Sequence, residues 1–295
     1  MTDKKLHFID CACPLCGSYN GKTLFKANMT SLRDYLEEVH GTLLPKNDLE
    51  NETYHAKKCE CGMMYQARIL DEPSLEVYYN EMIPKEVMDK HKFGSHEHYY
   101  SYAREAGEIS HLVGKEHKDI KVLDFGMGGG YWCLMAKAFG YDTYGYDLSK
   151  ERREYAQREL GINVLNILKG RYDFINVEQV LEHIPNPVDL LSKISLCLNE
   201  GGYIHLSVPN ARKLVNGFKN PDFTKAPWKA LLPLGHLNGF THKTLIRTAT
   251  MCGLEPIPQP LVMSHRYTIK SFVRGLGRPI IQDCIGTNLY FKKNF

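Results

Sequence analysis

The stretch VLDFGMGGGYW, residues 122–132, decides the fold of this chain. Apolar residues typical of a buried strand run into a set of glycines, and the residues after them have a helical pattern. Ligands of open parallel sheets bind beyond the carboxyl ends of the strands, so a ligand is expected at this first strand-to-helix turn. The stretch therefore predicts an α/β fold with a nucleotide-binding type of turn.

Strand-like and helix-like segments alternate downstream of this stretch. After a leading helix over 95–117, we predict strands at IKVLDFG, DTYGYDLS, YDFINVEQ, YIHLSVP and NLYFKKN. The helix before YIHLSVP is predicted to end at the Gly201–Gly202 pair. This alternation favours βαβ units around a largely parallel sheet with helices on both faces. We predict a Rossmann-like domain over residues 81–295 and a separate module over residues 1–80.

Composition limits the class of protein. The 295 residues, of which 43% are apolar, suffice for one large α/β domain and a small module. The net charge is +3 and the basic residues are scattered, which argues against a large nucleic-acid surface. No apolar run reaches the roughly 18 to 20 residues that cross a bilayer, and the first residues lack the apolar region of a secretory signal. We expect a cytosolic protein; its oligomeric state is not predicted.

The glycine turn excludes two common phosphate-binding motifs. The Gly-Lys-Ser/Thr ending of a P-loop is missing, and the third glycine of G-x-G-x-x-G falls on Tyr131 or Cys133. Asp124, two places before the glycines, would repel a pyrophosphate but suits a cationic amino group. S-adenosylmethionine carries such a group, a sulfonium and no phosphate. Asp147, at the end of the next strand, can accept both ribose hydroxyls; its alternative role is to cap the following helix.

Five segments appear in a characteristic order: VLDFGMGGGYW, YGYDLS, DFINVEQVLEHIPNP, LNEGGYIHLSVPN and GHLNGFTHKTLIRTATMCGLEP. Over roughly residues 95–295 they resemble class I S-adenosylmethionine-dependent methyltransferases, especially the branch with a V-L-E-H-x-x-(D/N)-P signature. The resemblance implies that the methionine part of the cofactor is held by the turn residues Asp124, Gly126, Gly128 and Gly130. It implies that Asp147 binds the ribose, and that Glu178 and Gln179 line the methyl-transfer face.

Signatures of several acceptor classes are missing. Nucleic-acid amino-methylating enzymes carry Asn/Asp-Pro-Pro-aromatic where this chain has EQVLEH, and cytosine C5 enzymes need a Pro-Cys dipeptide, which is absent from the sequence. The Asp and Asp-Asn set with which catechol-type enzymes bind magnesium has no match. These absences favour a metal-independent enzyme that acts on a small molecule.

Three residues are candidates for a catalytic base: His183, His236 and Glu178. Methyl transfer from a sulfonium needs alignment of nucleophile and methyl and, for some acceptors, a base. A histidine that titrates near neutrality is a natural choice. The alternative for His183 is that it packs with Glu182 in a turn. Gly235 stands where the family often has a glutamate before the second histidine, which weakens the case for His236.

Five of the nine cysteines lie within the first 61 residues. CPLCGS followed by KCECGMMYQ resembles a zinc-binding module that precedes such methyltransferases in enzymes of sugar and natural-product tailoring. It implies a zinc-ribbon-like lobe with a structural Zn²⁺ on four thiolates. The second pair is one residue apart instead of two, so Cys11 is a competing ligand; the alternative is a set of free thiols. The predicted ligands are Cys13, Cys16, Cys59 and Cys61.

The sequence therefore predicts a methyltransferase for a small-molecule acceptor, by O- or C-methylation. Family association favours a nucleotide-linked sugar or another glycan or natural-product precursor. One alternative is a ribosomal RNA methyltransferase with a zinc ribbon, although CECGMMYQ lacks the histidine that such ribbons supply and the charge bias is weak. Another is a non-catalytic module that binds S-adenosylmethionine, which the intact set of Asp124, glycines and Asp147 disfavours.

Overall fold

The computed structural model describes residues 6–40, 46–82, 96–214, 230–260 and 286–294. The chain divides into two compact units. The first comprises Met1–Phe93, Glu182–Pro187 and Pro209–Thr244, and the second comprises Gly94–Leu181, Val188–Val208 and Leu245–Phe295. The first unit thus contains the predicted module of residues 1–80 together with two later segments. Within the described ranges, no helix is both long and apolar enough to span a membrane.

The described strands and helices follow one another through both units. The strands are β1 Phe8–Asp10, β2 Gly21–Asn28, β3 Thr53–Cys59, β4 Met64–Gln66, β5 Arg68–Leu70, β6 Lys121–Phe125, β7 Asp142–Tyr146, β8 Asn163–Val164, β9 Tyr172–Glu178, β10 Leu198–Pro209, β11 Asn238–Gly239, β12 Leu254–Ile257 and β13 Gly286–Lys293. The α-helices are α1 Arg33–His40, α2 Lys46–Leu49, α3 Glu72–Val77, α4 His96–Val113, α5 Tyr131–Ala138, α6 Lys150–Leu160, α7 Pro187–Leu196 and α8 His242–Met251.

The second unit is built on a seven-stranded sheet with the order β12-β13-β10-β9-β6-β7-β8. The five neighbours from β10 to β8 pair in parallel, and β12 pairs antiparallel with β13. All five strands predicted for this part of the chain are present, and a mixed α/β fold with a mostly parallel sheet is confirmed. Central β6 is buried at Val122–Phe125, as expected for a parallel strand that is covered on both faces.

Capping residues mark the ends of the helices that flank the glycine turn, residues 126–130. Ser149 caps α6, because its side chain accepts a hydrogen bond from the Arg152 amide. Gly161 ends the same helix in a left-handed conformation. Trp132 on α5 stacks on Phe174 of β9, with ring centroids 6.2 Å apart. These contacts hold α5 and α6 at the carboxyl end of β6, where the predicted ligand turn lies.

The prediction that the helix before YIHLSVP ends at two glycines is wrong. Helix α7 ends at Leu196, and β10 already begins at Leu198. The register of β10 against β9 shifts between Leu198 and Tyr203, so the glycines lie in a bulge. A Cβ atom at Gly202 would lie only 3.0 Å from the carbonyl oxygen of Asn199. The glycine pair therefore allows the bulge in β10 and does not end a helix.

The first unit contains a four-stranded sheet with the order β11-β4-β3-β2, all antiparallel, and a separate β1–β5 pair. Residues late in the chain complete its core. The Tyr54 hydroxyl donates to the carbonyl of Leu231 at 2.7 Å, and the Gln66 amide donates to the carbonyls of Leu232 and His236 at 2.8 Å. These strands were not predicted: β1, β4 and β5 have only three residues each, and β2 and β3 each contain two lysines.

Candidate functional site

The glycine turn is held against the end of β7. The amides of Gly126 and Met127 both donate to the carbonyl of Tyr146, at 2.8 and 3.0 Å. Gly126, Gly128 and Gly130 all have positive φ angles, of 79°, 54° and 79°. A Cβ atom at Gly126 would lie 2.4 Å from the Val180 side chain. The turn therefore needs glycine both for its backbone conformation and for close approach of its neighbours.

Asp147 directly follows the end of β7, where it was predicted, and lies against the glycine turn. Its Oδ2 accepts a hydrogen bond from the Gly128 amide at 2.9 Å, and its Oδ1 accepts one from the Ser149 amide at 2.8 Å. The helix cap is Ser149, so the alternative assignment of Asp147 as the cap of α6 is wrong. Each carboxylate oxygen can accept a second hydrogen bond, which leaves acceptor capacity for hydroxyl groups of a ligand.

Asp124 is 3% exposed and belongs to a buried polar group that sequence analysis missed. Its Oδ1 accepts a hydrogen bond from the Asn176 amide at 2.8 Å, and Asn176 Oδ1 lies 2.8 Å from His205 Nδ1. The signal in the sequence is a polar residue inside an otherwise apolar strand, at FINV and YIHLSV. Buried polar side chains need such partners, because desolvation without a hydrogen bond is costly.

Strand β9 ends at Glu178, and Gln179 follows it, close to this group of buried polar residues. Gln179 has a φ angle of 54°, which is unusual for a residue with a side chain, and its amide donates to the carbonyl of Ser207 at 2.8 Å. Backbone strain of this kind is concentrated at functional sites. The charge of Glu178 acts on Glu105 of α4, so the second unit gathers carboxyl groups near the end of β6 and β9.

Glu105 is a buried carboxyl that sequence analysis did not single out. It accepts hydrogen bonds from the Ser101 hydroxyl at 2.9 Å and from the Trp132 indole at 3.2 Å. Burial, followed by the charge of Glu178, raises the pKa of Glu105 from 4.5 to about 8. This carboxyl therefore carries a proton near neutral pH, and its protonation changes close to the predicted cofactor residues.

Replacement of Glu105 by glutamine should flatten the dependence of stability on pH. The unfolded chain releases this proton near pH 4.5 and the folded protein only near pH 8. The stability that Glu105 contributes is thus complete below pH 4.5 and is lost as the pH rises to about 8. We expect Glu105→Gln to raise Tm at pH 8 by about 10 °C, with little change at pH 4.5, in thermal unfolding measured across this range. Glu200→Gln, at an exposed residue, is the control; parallel wild-type and Glu105→Gln curves would contradict this assignment.

His183 and His236 come together in the first unit. The short helical turn Leu181–His183 places His183 Nδ1 at 2.9 Å from the carbonyl of Gly235 and at 3.0 Å from the Tyr79 hydroxyl. A carbonyl oxygen only accepts, and the Tyr79 hydroxyl donates to the same carbonyl at 2.9 Å. Nδ1 of His183 therefore carries the hydrogen, and Nε2 holds the lone pair of the neutral imidazole. This is the tautomer that a base acting through Nε2 requires.

Glu182 adds a third polar side chain to the two histidines. The rings of His183 and His236 are nearly perpendicular with centroids 4.6 Å apart, and Glu182 Oε1 lies 3.9 Å from His183 Nε2. One ligand atom from each of the three residues lies within 4.8 Å of the others, a set of a kind that can hold a metal ion. The Glu182 carbonyl also accepts a hydrogen bond from the Leu237 amide. Glu182 and His183 can thus pack in the turn and also take part in catalysis or ligand binding.

The four predicted cysteine ligands lie together in the first unit. The Sγ atoms of Cys13 and Cys61 are 3.5 Å apart, those of Cys16 and Cys59 are 3.4 Å apart, and all four lie within 4.8 Å of one another. Cys11 is bonded elsewhere: its thiol donates to the carbonyl of Gln66 at 2.9 Å, and burial raises its pKa to about 11. The departure from C-x-x-C spacing in the second pair does not prevent the four thiols from meeting.

The chain is similar to known methyltransferases. The model of a family described as "Methyltransferase domain" matches residues 96–259. The ubiquinone biosynthesis O-methyltransferase of Proteus mirabilis is 31% identical over 161 residues, which cover 47% of this chain and 65% of that protein. The protein of the same name from Leptothrix cholodnii is 29% identical over 116 residues, or 35% and 49% of the two chains. The chain thus spans between half and two thirds of the length of these relatives.

A similar structure comes from Haloferax volcanii, in a complex between the Trm112 methyltransferase activator and a methyltransferase. The matched chain is 15% identical, with a TM-score of 0.50, and the match covers 70% of this chain and 96% of that chain. At this identity the likeness concerns the fold. It agrees with the mostly parallel sheet of the second unit.

Proposed function

This chain belongs to the methyltransferase domain family, and from that premise we propose that it transfers a methyl group from S-adenosylmethionine to a small-molecule acceptor. The observation that carries the proposal is the meeting of Asp124, the glycine turn and Asp147 at the end of β6. Asp124 offers a buried negative charge to the cationic cofactor, and no lysine or arginine of a phosphate-binding motif stands in the turn.

The residues of the turn fit this cofactor. The positive φ angles of Gly126, Gly128 and Gly130 give the tight turn that would curve around the amino-acid part of the cofactor. Asp147 keeps acceptor capacity for the two ribose hydroxyls beyond its bonds to Gly128 and Ser149. Glu178 and Gln179 are proposed to line the side of the cofactor from which the methyl group leaves. The cofactor supplies a methyl group on a positively charged sulfur, which is an excellent leaving group.

Isothermal titration calorimetry tests the cofactor directly. We expect the purified protein to bind S-adenosylmethionine and S-adenosylhomocysteine, and to show no comparable affinity for NAD, because the turn lacks the third glycine of a dinucleotide motif. Tight NAD binding without binding of S-adenosylhomocysteine would falsify the proposal. A chain that binds the cofactor but transfers no methyl group to any acceptor would instead be a binding module.

The acceptor is proposed to be a small molecule that is methylated on oxygen. The relatives named above are O-methyltransferases of ubiquinone biosynthesis, at 29–31% identity over part of the chain. A nucleotide-linked sugar or a precursor of a glycan or natural product remains our proposed acceptor class, with C-methylation as the second possibility. Transfer of radiolabel from S-adenosylmethionine to a panel of catechols, nucleotide sugars and ribosomal RNA separates these acceptors.

His183 is proposed as the base that removes the proton of the acceptor. Its Nδ1–H is directed at the Gly235 carbonyl and the Tyr79 hydroxyl, so Nε2 is the nitrogen that is proposed to take the proton. His236 and Glu182 lie beside it, and the Glu182 carboxylate, 3.9 Å from Nε2, would stabilise the imidazolium that forms. Glu178, the other candidate base, is assigned to the cofactor instead. Proton transfer of this kind contributes about 10²- to 10⁴-fold to rate.

Replacement of His183 by asparagine should lower kcat by about 10²- to 10⁴-fold on the acceptor found in the panel. The amide of asparagine can still donate to the Gly235 carbonyl, so the local fold is kept while the Nε2 lone pair is lost. We expect the affinity for S-adenosylhomocysteine to stay within about twofold. Initial rates and calorimetry measure the two effects, with His7→Asn as the control at an exposed histidine. A wild-type kcat in His183→Asn removes this histidine from the mechanism.

The four cysteines are proposed to hold a structural Zn²⁺. Four thiolates from two close pairs match the tetrahedral preference of zinc. Cys11 is left out of the proposed ligand set because its thiol is bonded to Gln66. A cytosolic location is proposed with this site, because reducing conditions keep such cysteines available to a metal.

A further inference from the structure

Three buried polar side chains form a row across the sheet of the second unit. Asp124 on β6 pairs in register with Asn176 on β9, and Asn176 pairs in register with His205 on β10. All three are at most 3% exposed. Because paired residues on neighbouring strands point to the same face, the row is a direct product of strand register. Nothing in the function proposed above uses Asn176 or His205.

The hydrogen bonds in this row have a single direction. An ionised carboxylate only accepts, so the amide nitrogen of Asn176 donates to Asp124 Oδ1 at 2.8 Å. The Asn176 oxygen is then the acceptor for His205 Nδ1, also at 2.8 Å. Burial lowers the pKa of His205 from 6.5 to about 3, so its imidazole is neutral and its hydrogen lies on Nδ1. Each side chain thereby sets the orientation of the next one.

The far end of the row is also held. The His205 ring stacks on Tyr290 of β13, with centroids 4.7 Å apart and an interplanar angle of 23°. The Tyr290 hydroxyl donates a short hydrogen bond to the buried carboxylate of Glu108 on α4. The imidazole therefore has one stable position, from which it holds the Asn176 amide toward Asp124.

We propose that Asn176 and His205 are positioning residues for the cofactor: they hold the Asp124 carboxylate in the orientation that receives the cofactor's ammonium group. This inference rests on the proposed function, in which Asp124 binds the amino-acid part of S-adenosylmethionine. The Cys133 thiol also approaches the other carboxylate oxygen, Oδ2, at 3.7 Å, so the Asn176 amide is the shorter of these two contacts. Without the amide the carboxylate would be less firmly oriented, and binding would have to order it. A fixed carboxylate avoids this loss of entropy on binding.

The test compares two ligands that differ in the amino-acid chain. S-adenosylhomocysteine carries it, whereas methylthioadenosine lacks it. We expect Asn176→Leu, which keeps the size of the side chain but not its amide, to weaken S-adenosylhomocysteine about 10- to 100-fold and to leave methylthioadenosine unchanged. His205→Phe, which keeps the stacking on Tyr290, should weaken S-adenosylhomocysteine in the same selective way by a smaller factor.

A conservative variant provides the rescue. The amide nitrogen of asparagine can occupy the place of Nδ1, so His205→Asn should keep a ratio of the two Kd values close to wild type. Thr143→Val, at a buried threonine that bonds to the Tyr141 carbonyl, is the control for general loss of core polarity. Thermal unfolding confirms that each variant is folded, and His205→Phe carries the test if Asn176→Leu does not fold.

The outcomes separate the inference from the function on which it rests. A wild-type protein with no preference for S-adenosylhomocysteine over methylthioadenosine overturns the proposed role of Asp124, and with it this inference. A wild-type preference that survives in both Asn176→Leu and His205→Phe overturns the inference alone. Equal weakening of both ligands, shared by Thr143→Val, also overturns it, because it shows a merely structural role.

Discussion

Calorimetry on Asp124→Ala is expected to show binding of S-adenosylhomocysteine weakened by at least about 30-fold. Asp124 is 3% exposed, so its charge acts on the cofactor's ammonium with little screening by water. Removal of one partner of a buried charge pair costs about 2–5 kcal/mol, which corresponds to roughly 30- to several thousand-fold in Kd. The alanine also leaves the Asn176 amide without its carboxylate partner.

Asp124→Asn separates charge from shape. The amide keeps the volume of the carboxylate but cannot neutralise an ammonium group, so we expect nearly the same loss of affinity as in Asp124→Ala. Methylthioadenosine, which has no amino-acid chain, should bind both variants about as well as wild type. Asp142→Asn, at an exposed position on the neighbouring β7, serves as the matched control. Wild-type affinity of Asp124→Asn for S-adenosylhomocysteine would remove the carboxylate from the proposed cofactor site.

Loss of zinc should have the largest effect on stability. Binding of Zn²⁺ to four thiolates is worth about 10–16 kcal/mol in small zinc modules, comparable to the whole stability of a domain. We expect elemental analysis to find about one zinc per chain. Cys13→Ser, or treatment with a strong chelator, should lower the first calorimetric unfolding transition by more than about 10 °C. The cysteine cluster lies in the first compact unit, which is where this destabilisation should appear.

Cys11→Ser is the control for the zinc prediction. The Cys11 thiol donates to the Gln66 carbonyl and lies outside the four-cysteine set, so this variant should retain its zinc and most of its stability. The comparison distinguishes ligation from the loss of any cysteine in the lobe. Freshly purified protein without zinc, or equal loss of zinc in Cys11→Ser and Cys13→Ser, would contradict the assignment of the ligands.

The structural features that are determined by residues close together in the sequence were predictable. The strand before Asp124, the glycine turn and the strand that ends before Asp147 all lie within 26 residues, and each is specified by apolar runs and turn residues. The Gly201–Gly202 pair misled the same reasoning, because two glycines after a helix can end the helix or form a bulge in the next strand. The pairing of β10 with β9 shows that here the glycines form a bulge. The strands of the first unit were missed, since β1, β4 and β5 are too short to show a period and the lysines of β2 and β3 interrupt the apolar alternation.

The sequence by itself determined the glycine turn and the strands on either side of it, because apolar runs, an acidic residue, three glycines and a second carboxylate follow one another at a local spacing. Only the tertiary structure decided the partners of these residues. Asn176 lies 52 residues from Asp124, and Tyr79 lies 104 residues from the histidine whose tautomer it helps to set. Such pairings depend on strand register and on how distant segments pack. A local sequence pattern contains no information on strand register or on long-range packing. The direction of each hydrogen bond could therefore be assigned only from the folded chain.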